Sequence, residues 1–161
     1  MGRRAGRCSH GCRQAVLRQV DITLILASGV SRPARFNDVM TALLILVAGP
    51  VRGGTGDDPE LIERNIAAMN ETALVLYRLG HLPVVGEWMS FPLIETAGST
   101  RIGDEAYEEI QHPLAQRLLA RCDACLRIGG PSAGADLMVE TARQLGKPIW
   151  FSTDEVPAVD P

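Results

Sequence analysis

The chain has 161 residues, of which 46% are apolar and 22% charged, with a formal net charge of −3. That length holds one domain of ordinary size and not two, and the composition excludes a disordered or collagen-like polymer. A chain without a basic excess lacks the electrostatic footprint of a nucleic-acid binder, so DNA and RNA are not expected partners.

The charge is unevenly placed. Residues 1–39 carry seven arginines against two acids, a net of +5, while residues 40–161 carry nine basic and seventeen acidic residues, a net of −8. The first segment has no sustained helical or alternating period and is punctuated by Gly2, Gly6, Gly11, Gly29 and Pro33. It is read as a basic tail. Its apolar stretch Ile22-Thr23-Leu24-Ile25-Leu26-Ala27 is shorter than a secretory core and lies behind Arg18 and Asp21. The preferred reading is an over-extended start, with Met40 opening the domain of residues 40–161. No window approaches the apolar length needed to span a bilayer, and a cytoplasmic location without a membrane partner is expected.

The four cysteines are Cys8 and Cys12, which flank His10 in the tail, and Cys122 and Cys125 in CxxC spacing. A zinc site drawn from both ends is conceivable. Cys122 and Cys125, however, sit between a helix and an apolar strand, where cysteine serves as a small buried hydrophobe. A reduced protein without a metal is the expectation.

From Met40 onward strands and helices alternate. Residues 43–48 form a continuous apolar run stopped by Gly49-Pro50, as in a strand buried on both faces of a parallel sheet. Asp58 and Pro59 supply an N-cap and a first-turn proline, and Ile62, Ile66, Met69, Ala73 and Leu76 recur at helical spacing, predicting a helix over 59–79. Residues 82–85 read as a second strand. Residues 86–103, with Trp88, Phe91 and Pro92, read as a long loop of the kind that is usually functional.

A second helix is predicted over 104–120, broken near Pro113, with Leu114, Leu118 and Leu119 inward. Residues 124–128 form a third strand, 134–145 a third helix and 148–151 a fourth strand. Strands joined by crossover helices predict a small open α/β sheet, parallel, with helices on both faces, flavodoxin-like or Rossmann-like. Ligands of such sheets bind beyond the carboxyl ends of the strands, which places the site at residues 49–54, 86–103 and 129–134.

Gly49-Pro50-Val51-Arg52-Gly53-Gly54 leaves the first strand and precedes a helix, so its backbone can approach an anion and Arg52 can offer a bidentate fork. It matches neither a P-loop nor GxGxxG. Asp57 and Asp58 count against an anion there, since they can occupy the helix terminus themselves. Gly129-Gly130-Pro131-Ser132-Ala133-Gly134 is the second such loop and opens into a helix, whose first N–H groups and the Ser132 hydroxyl face the same crevice. Asp136 and Glu140 lie four apart on that helix, as paired catalytic carboxylates or as a solvated face.

Three pieces of the chain resemble the nucleoside 2-deoxyribosyltransferase-like superfamily, in particular its small branch and the 2′-deoxynucleoside 5′-phosphate N-hydrolases. Residues 49–54 are similar to the hydrolases' G-S-I-R-G-G, and Asp123 closes a helix before a strand. Ser132-x-Gly134-Ala135, then Ala142 and Gly146-Lys147-Pro148, is similar to S-x-G-x-x-x-E-x-x-x-A-x-x-x-G-K-P. The resemblance spans residues 43–151. It implies a pocket for a deoxynucleoside or its 5′-monophosphate in which a glutamate attacks C1′ and a second group handles the proton. It would place Gly49, Arg52, Gly53, Gly54, Ser132 and Gly134 around phosphate and sugar, and Trp88 where an aromatic covers the base, or else anchors the loop. No cofactor is implied. Relatives commonly complete their sites across a dimer interface, so a homo-oligomer is allowed for.

Two positions depart from the family pattern. Counted from Gly134 and equally from Gly146, the nucleophilic glutamate falls on Met138. Counted from Asp123, the acid/base aspartate falls on Ala115. Sliding the helix by two would bring in Glu140, but a turn of about 200° would bury polar faces and expose Leu137 and Met138. The expected function is therefore a nucleoside- or nucleotide-binding protein with the family's two carboxylates replaced. The alternative is an active N-glycosidase or deoxyribosyltransferase using a relocated carboxylate: Asp136, Glu140, Glu87 or another. A nucleotide-monophosphate phosphoribohydrolase is disfavoured, because its G-G-x-G-T-x-x-E pattern is not met after Gly129-Gly130. A purely structural module is disfavoured by two glycine-rich loops on one sheet edge.

Overall fold

The computed structural model describes residues 41–159. The expectations placed on residues 1–39, including Cys8, His10, Cys12 and the start at Met40, lie outside the described residues. Strand β1 (Leu44–Ala48) is followed by α1 (Pro59–Arg78), β2 (Leu82–Val85), α2 (Glu87–Thr96) and α3 (Glu105–Arg121). Strand β3 (Ala124–Arg127), α4 (Ala133–Gln144), β4 (Ile149–Trp150) and a 3-10 turn (Thr153–Glu155) complete the described chain.

All strand pairs are parallel, in the order β2-β1-β3-β4. The open α/β sheet read from the sequence is thus present, with the strand order of a flavodoxin-like fold. The apolar run of β1 lies at the centre because it has an apolar layer to fill on each face. Ile45 and Val47 pack with Met69, Ala73 and Leu76 of α1, while Leu46 and Ala48 pack with Ala115 and Leu119 of α3 and Met138 and Ala142 of α4. Asp123 holds the lower end of β1: its backbone N–H donates to the Leu44 carbonyl at 2.7 Å, and its carboxylate accepts from the Leu44 N–H at 2.8 Å.

Cys122 and Cys125 are buried in the α3/α4 layer, and burial pushes their thiols up to about 11 and about 12. They remain protonated and pack as small apolar groups. Among the described residues no helix is long and apolar enough to cross a membrane.

The structure corrects two expectations. Residues 86–103 are not one loop, because Glu87–Thr96 form α2 despite Pro92 in its interior. No amphipathic period announces this helix. It is held by tertiary contacts instead: Ile94 is buried, Phe91 packs on the α1 layer, and the buried Ser90 hydroxyl donates to Gln111 of α3 at 2.5 Å. Nor does α3 break near Pro113, but runs on to Arg121. Burial of Tyr107 and Gln111 before the proline, and of Ala115 and Leu119 after it, outweighs the single helical bond that proline forfeits.

Candidate functional site

At the carboxyl edge of the sheet lies a cavity of about 270 Å³, just below the usual range for small-molecule sites. Its floor is the end of β1, with Gly49, Val51, Arg52 and Gly53; one wall is Gly86 and Glu87 after β2, and the other is residues 132–135 and Met138 of α4. The roof is one stripe of α3: Tyr107, Glu108, Gln111, His112 and Ala115. Those positions recur at steps of one turn, so a single helix face covers the crevice.

The stripe is aimed by its N-cap. Asp104 accepts from the Tyr107 N–H at 3.0 Å, the Thr100 N–H at 2.9 Å and the Ser99 hydroxyl at 2.9 Å. These donors, the Tyr107 and Thr100 N–H groups foremost, hold its carboxyl down at about 2.

The two glycine-rich loops meet over the cavity floor. A Cβ on Gly53 would overlap the Pro131 carbonyl oxygen, which makes glycine the residue that lets the loops close. Asn65 of α1 pins the first loop by donating to the Val51 carbonyl at 3.0 Å and to the Gly53 carbonyl at 3.3 Å. On the other side, the His112 ring lies so close to Gly134 that a Cβ there would stand 2.8 Å from it.

Of the residues read from the sequence, the structure brings Gly49, Arg52, Gly53, Ser132, Gly134, Ala115 and Met138 together around this one cavity. Ser132 caps α4, its hydroxyl accepting from the Ala135 N–H at 3.3 Å. The others lie elsewhere. Gly54 faces open space with φ +76°, and Trp88 is half exposed, its indole N–H donating to Asn70 of α1 at 2.8 Å. Asp136 points away from the cavity to Arg127, and Glu140 is exposed beside Arg143 and Gln144. Leu137 is also on the exposed side of α4, unlike Met138.

Arg52 does not present an open fork. Its Nε and Nη2 donate to the two carboxylate oxygens of Asp57 at 2.7 and 3.0 Å. This pairing lowers the Asp57 carboxyl below its ordinary range and raises the Arg52 guanidinium above its own, the hydrogen bonds being the larger cause in each case. Asp58, not Asp57, caps α1, accepting from the Glu60 N–H at 2.9 Å.

Of the other groups in the cavity, Glu87 was among the carboxylates named from the sequence, while Tyr107 and His112 were not. Glu87 is half buried and receives the Gln111 amide at 2.9 Å, and burial is the main cause that pushes its carboxyl up. Tyr107 is pushed up to about 12 by burial and by the nearby Glu87 and Glu108 charges, so it remains a neutral phenol with a proton to donate. His112 stands between α3 and α4. The spacing 107, 108, 111, 112, 115 is the signal in the sequence for Tyr107 and His112, and it competes with the inward face formed by Leu114, Leu118 and Leu119.

Chemically, the cavity offers a half-buried carboxylate held in place, a phenol, an imidazole and the first turn of α4. Ala115 and Met138 carry no carboxylate, so neither can act as a general acid or base or as an anionic nucleophile.

No known family model matches the chain, and no curated protein matches it. Among solved structures, a 2-deoxyribosyltransferase from the psychrotolerant bacterium Bacillus psychrosaccharolyticus is similar over 66% of this chain and 69% of its own, at 17% identity and a TM-score of 0.48.

Proposed function

We propose that this chain binds a 2′-deoxynucleoside or its 5′-monophosphate in the cavity at the sheet edge and lacks the carboxylates that would cleave the glycosidic bond. One observation carries the reading. Ala115 and Met138, reached by separate counts along the sequence and lying on different helices, both line the same cavity as Gly53, Ser132 and Gly134. A resemblance without functional meaning gives no reason for these positions to converge. The folded part in this proposal is residues 40–161, and a chain lacking residues 1–39 is expected to melt within about 5 °C of the full chain.

The test is a thermal-shift comparison of the full chain with deoxynucleosides, their 5′-monophosphates and sugar phosphates. A ligand at a hundred times its dissociation constant adds about 2.7 kcal/mol, a rise of roughly 5–10 °C for a domain of this size. A flat response to every nucleoside and nucleotide sinks the proposal.

A second reading, cleavage by a relocated carboxylate, is favoured by Glu87 alone among the candidates named from the sequence. It lines the cavity and is fixed by Gln111, whereas Asp136 and Glu140 do not line it. Under that reading Glu87→Gln abolishes base release, while Asp136→Asn and Glu140→Gln leave it intact.

A further inference from the structure

We propose that Asp57 is an internal stand-in for the ligand's phosphate, and that its hold on Arg52 sets how the cavity discriminates phosphorylated from unphosphorylated ligands. This rests on the nucleoside-or-nucleotide reading given above.

Arg52 lines the cavity at the end of β1, yet both carboxylate oxygens of Asp57 occupy its fork at 2.7 and 3.0 Å. Two parallel N–H···O bonds are the same geometry in which a guanidinium receives two phosphate oxygens. Arg52 is also the only arginine or lysine among the cavity-lining residues, and the two acidic residues in the lining are Glu87 and Glu108. A phosphate entering here meets no other arginine or lysine and only the His112 imidazole besides, so its permanent Coulombic attraction depends on taking Arg52 from Asp57.

Asp57 holds a conformation that favours glycine, with φ +66°, the only non-glycine residue at positive φ among the described residues. Its neighbour Gly56 also has positive φ, so this turn presents the carboxylate at a local backbone cost. The turn is secured independently of the ion pair: the Thr55 N–H and hydroxyl both donate to the Arg52 carbonyl, at 3.1 and 2.8 Å, and the Asp57 N–H donates to the Thr55 hydroxyl at 3.2 Å. Losing the carboxylate therefore leaves the loop its own bonds. The pair is solvent-exposed, 44% for Arg52 and 66% for Asp57. Exposed pairs are held weakly enough for a doubly charged phosphate to displace one partner. The first turn of α4, with Ser132 and Gly134 in the same lining, adds N–H dipoles that favour an anion in the cavity.

The experiment measures dissociation constants by calorimetry at low salt for the four 2′-deoxynucleosides and their 5′-monophosphates. It compares the full wild-type chain with Asp57→Asn, Arg52→Ala and the double variant. Asparagine keeps the size of the side chain and tolerates the left-handed backbone, so the fold should survive; melting within a few degrees of wild type checks this. Asp57→Asn is expected to tighten monophosphate binding about fivefold while leaving nucleosides unchanged, because it removes a competitor and a like charge together. Arg52→Ala should weaken the monophosphates about tenfold or more, and in the double variant the gain from Asp57→Asn should vanish.

If Asp57→Asn weakens the monophosphates or leaves their ratio to the nucleosides unchanged, the stand-in is overturned while the nucleoside reading remains. The same holds if nucleosides bind and monophosphates are excluded by every variant. If no nucleoside or monophosphate binds any of the four proteins, the cavity reading itself fails, and the stand-in falls with it.

Discussion

The purified protein is expected to release no base above background from any 2′-deoxynucleoside or 5′-monophosphate, and the double change Ala115→Asp with Met138→Glu is expected to restore cleavage. Both side chains line the cavity, from α3 and α4 respectively, and both are buried in the layer beneath it. Under the proposed function, a carboxylate at 138 would supply the nucleophile and one at 115 the proton-handling group. Either alone leaves its step unassisted. Since the two act as a unit, the double variant should exceed each single variant by about a hundredfold or more, the span of general acid–base assistance. A cost in stability is expected, because Met138 is only 4% exposed and a buried carboxylate there has to be solvated or paired by its surroundings. The measurement is chromatographic detection of free base under single-turnover conditions. Robust release by the wild-type protein would defeat the assignment of 115 and 138 and direct attention to Glu87.

Arg127→Met is expected to destabilise the protein by about 2–4 kcal/mol, the loss of several charge-assisted hydrogen bonds from a buried position. Arg127 ends β3 with only 8% of its surface exposed. Its Nη2 donates to the Gly130 carbonyl at 2.7 Å, its Nη1 to Gly129 at 3.3 Å and to Ile128, and its Nε to Asp136 at 3.1 Å. The guanidinium thus sets the path of the loop that delivers Ser132 and α4 to the cavity. Methionine fills much of the volume but leaves those carbonyls without a donor. Asp136 is itself exposed, so its charge is not stranded and the loss stays below that of a fully buried pair. Asp136→Asn should therefore cost less than about 1 kcal/mol, because the carbonyl bonds persist. Denaturant titration of both variants checks this: equal, small losses would show that the loop holds its shape without Arg127.

The stretches that proved legible in the sequence are those whose signals are local. The apolar run of β1 and the Asp58 and Pro59 start of α1 each act within a turn or a strand of where they stand, and both elements form where expected. With the alternation of strand and helix, they were enough for the parallel sheet and for the edge on which the cavity opens. The sequence also singled out Arg52, Gly53, Ser132, Gly134, Ala115 and Met138, which share that cavity.

What tertiary structure alone decided depends on partners outside the local helical or strand period, several of them far along the chain. Helix α2 exists because Ser90, Phe91 and Ile94 find contacts in other elements, which no local period records. Trp88 turns to Asn70 and Asp136 to Arg127, and which way a polar side chain leans is set by the donor it meets. Arg52, read as a free fork, is engaged because a positive-φ turn swings Asp57 onto it. Glu87 and the α3 stripe became part of the cavity only once α3 was laid across the end of β1. Composition and periodicity report how a residue's neighbours in sequence constrain its backbone. Which side chains confront one another across a crevice is settled by irregular turns and by packing between distant elements, neither of which leaves a period in a single sequence.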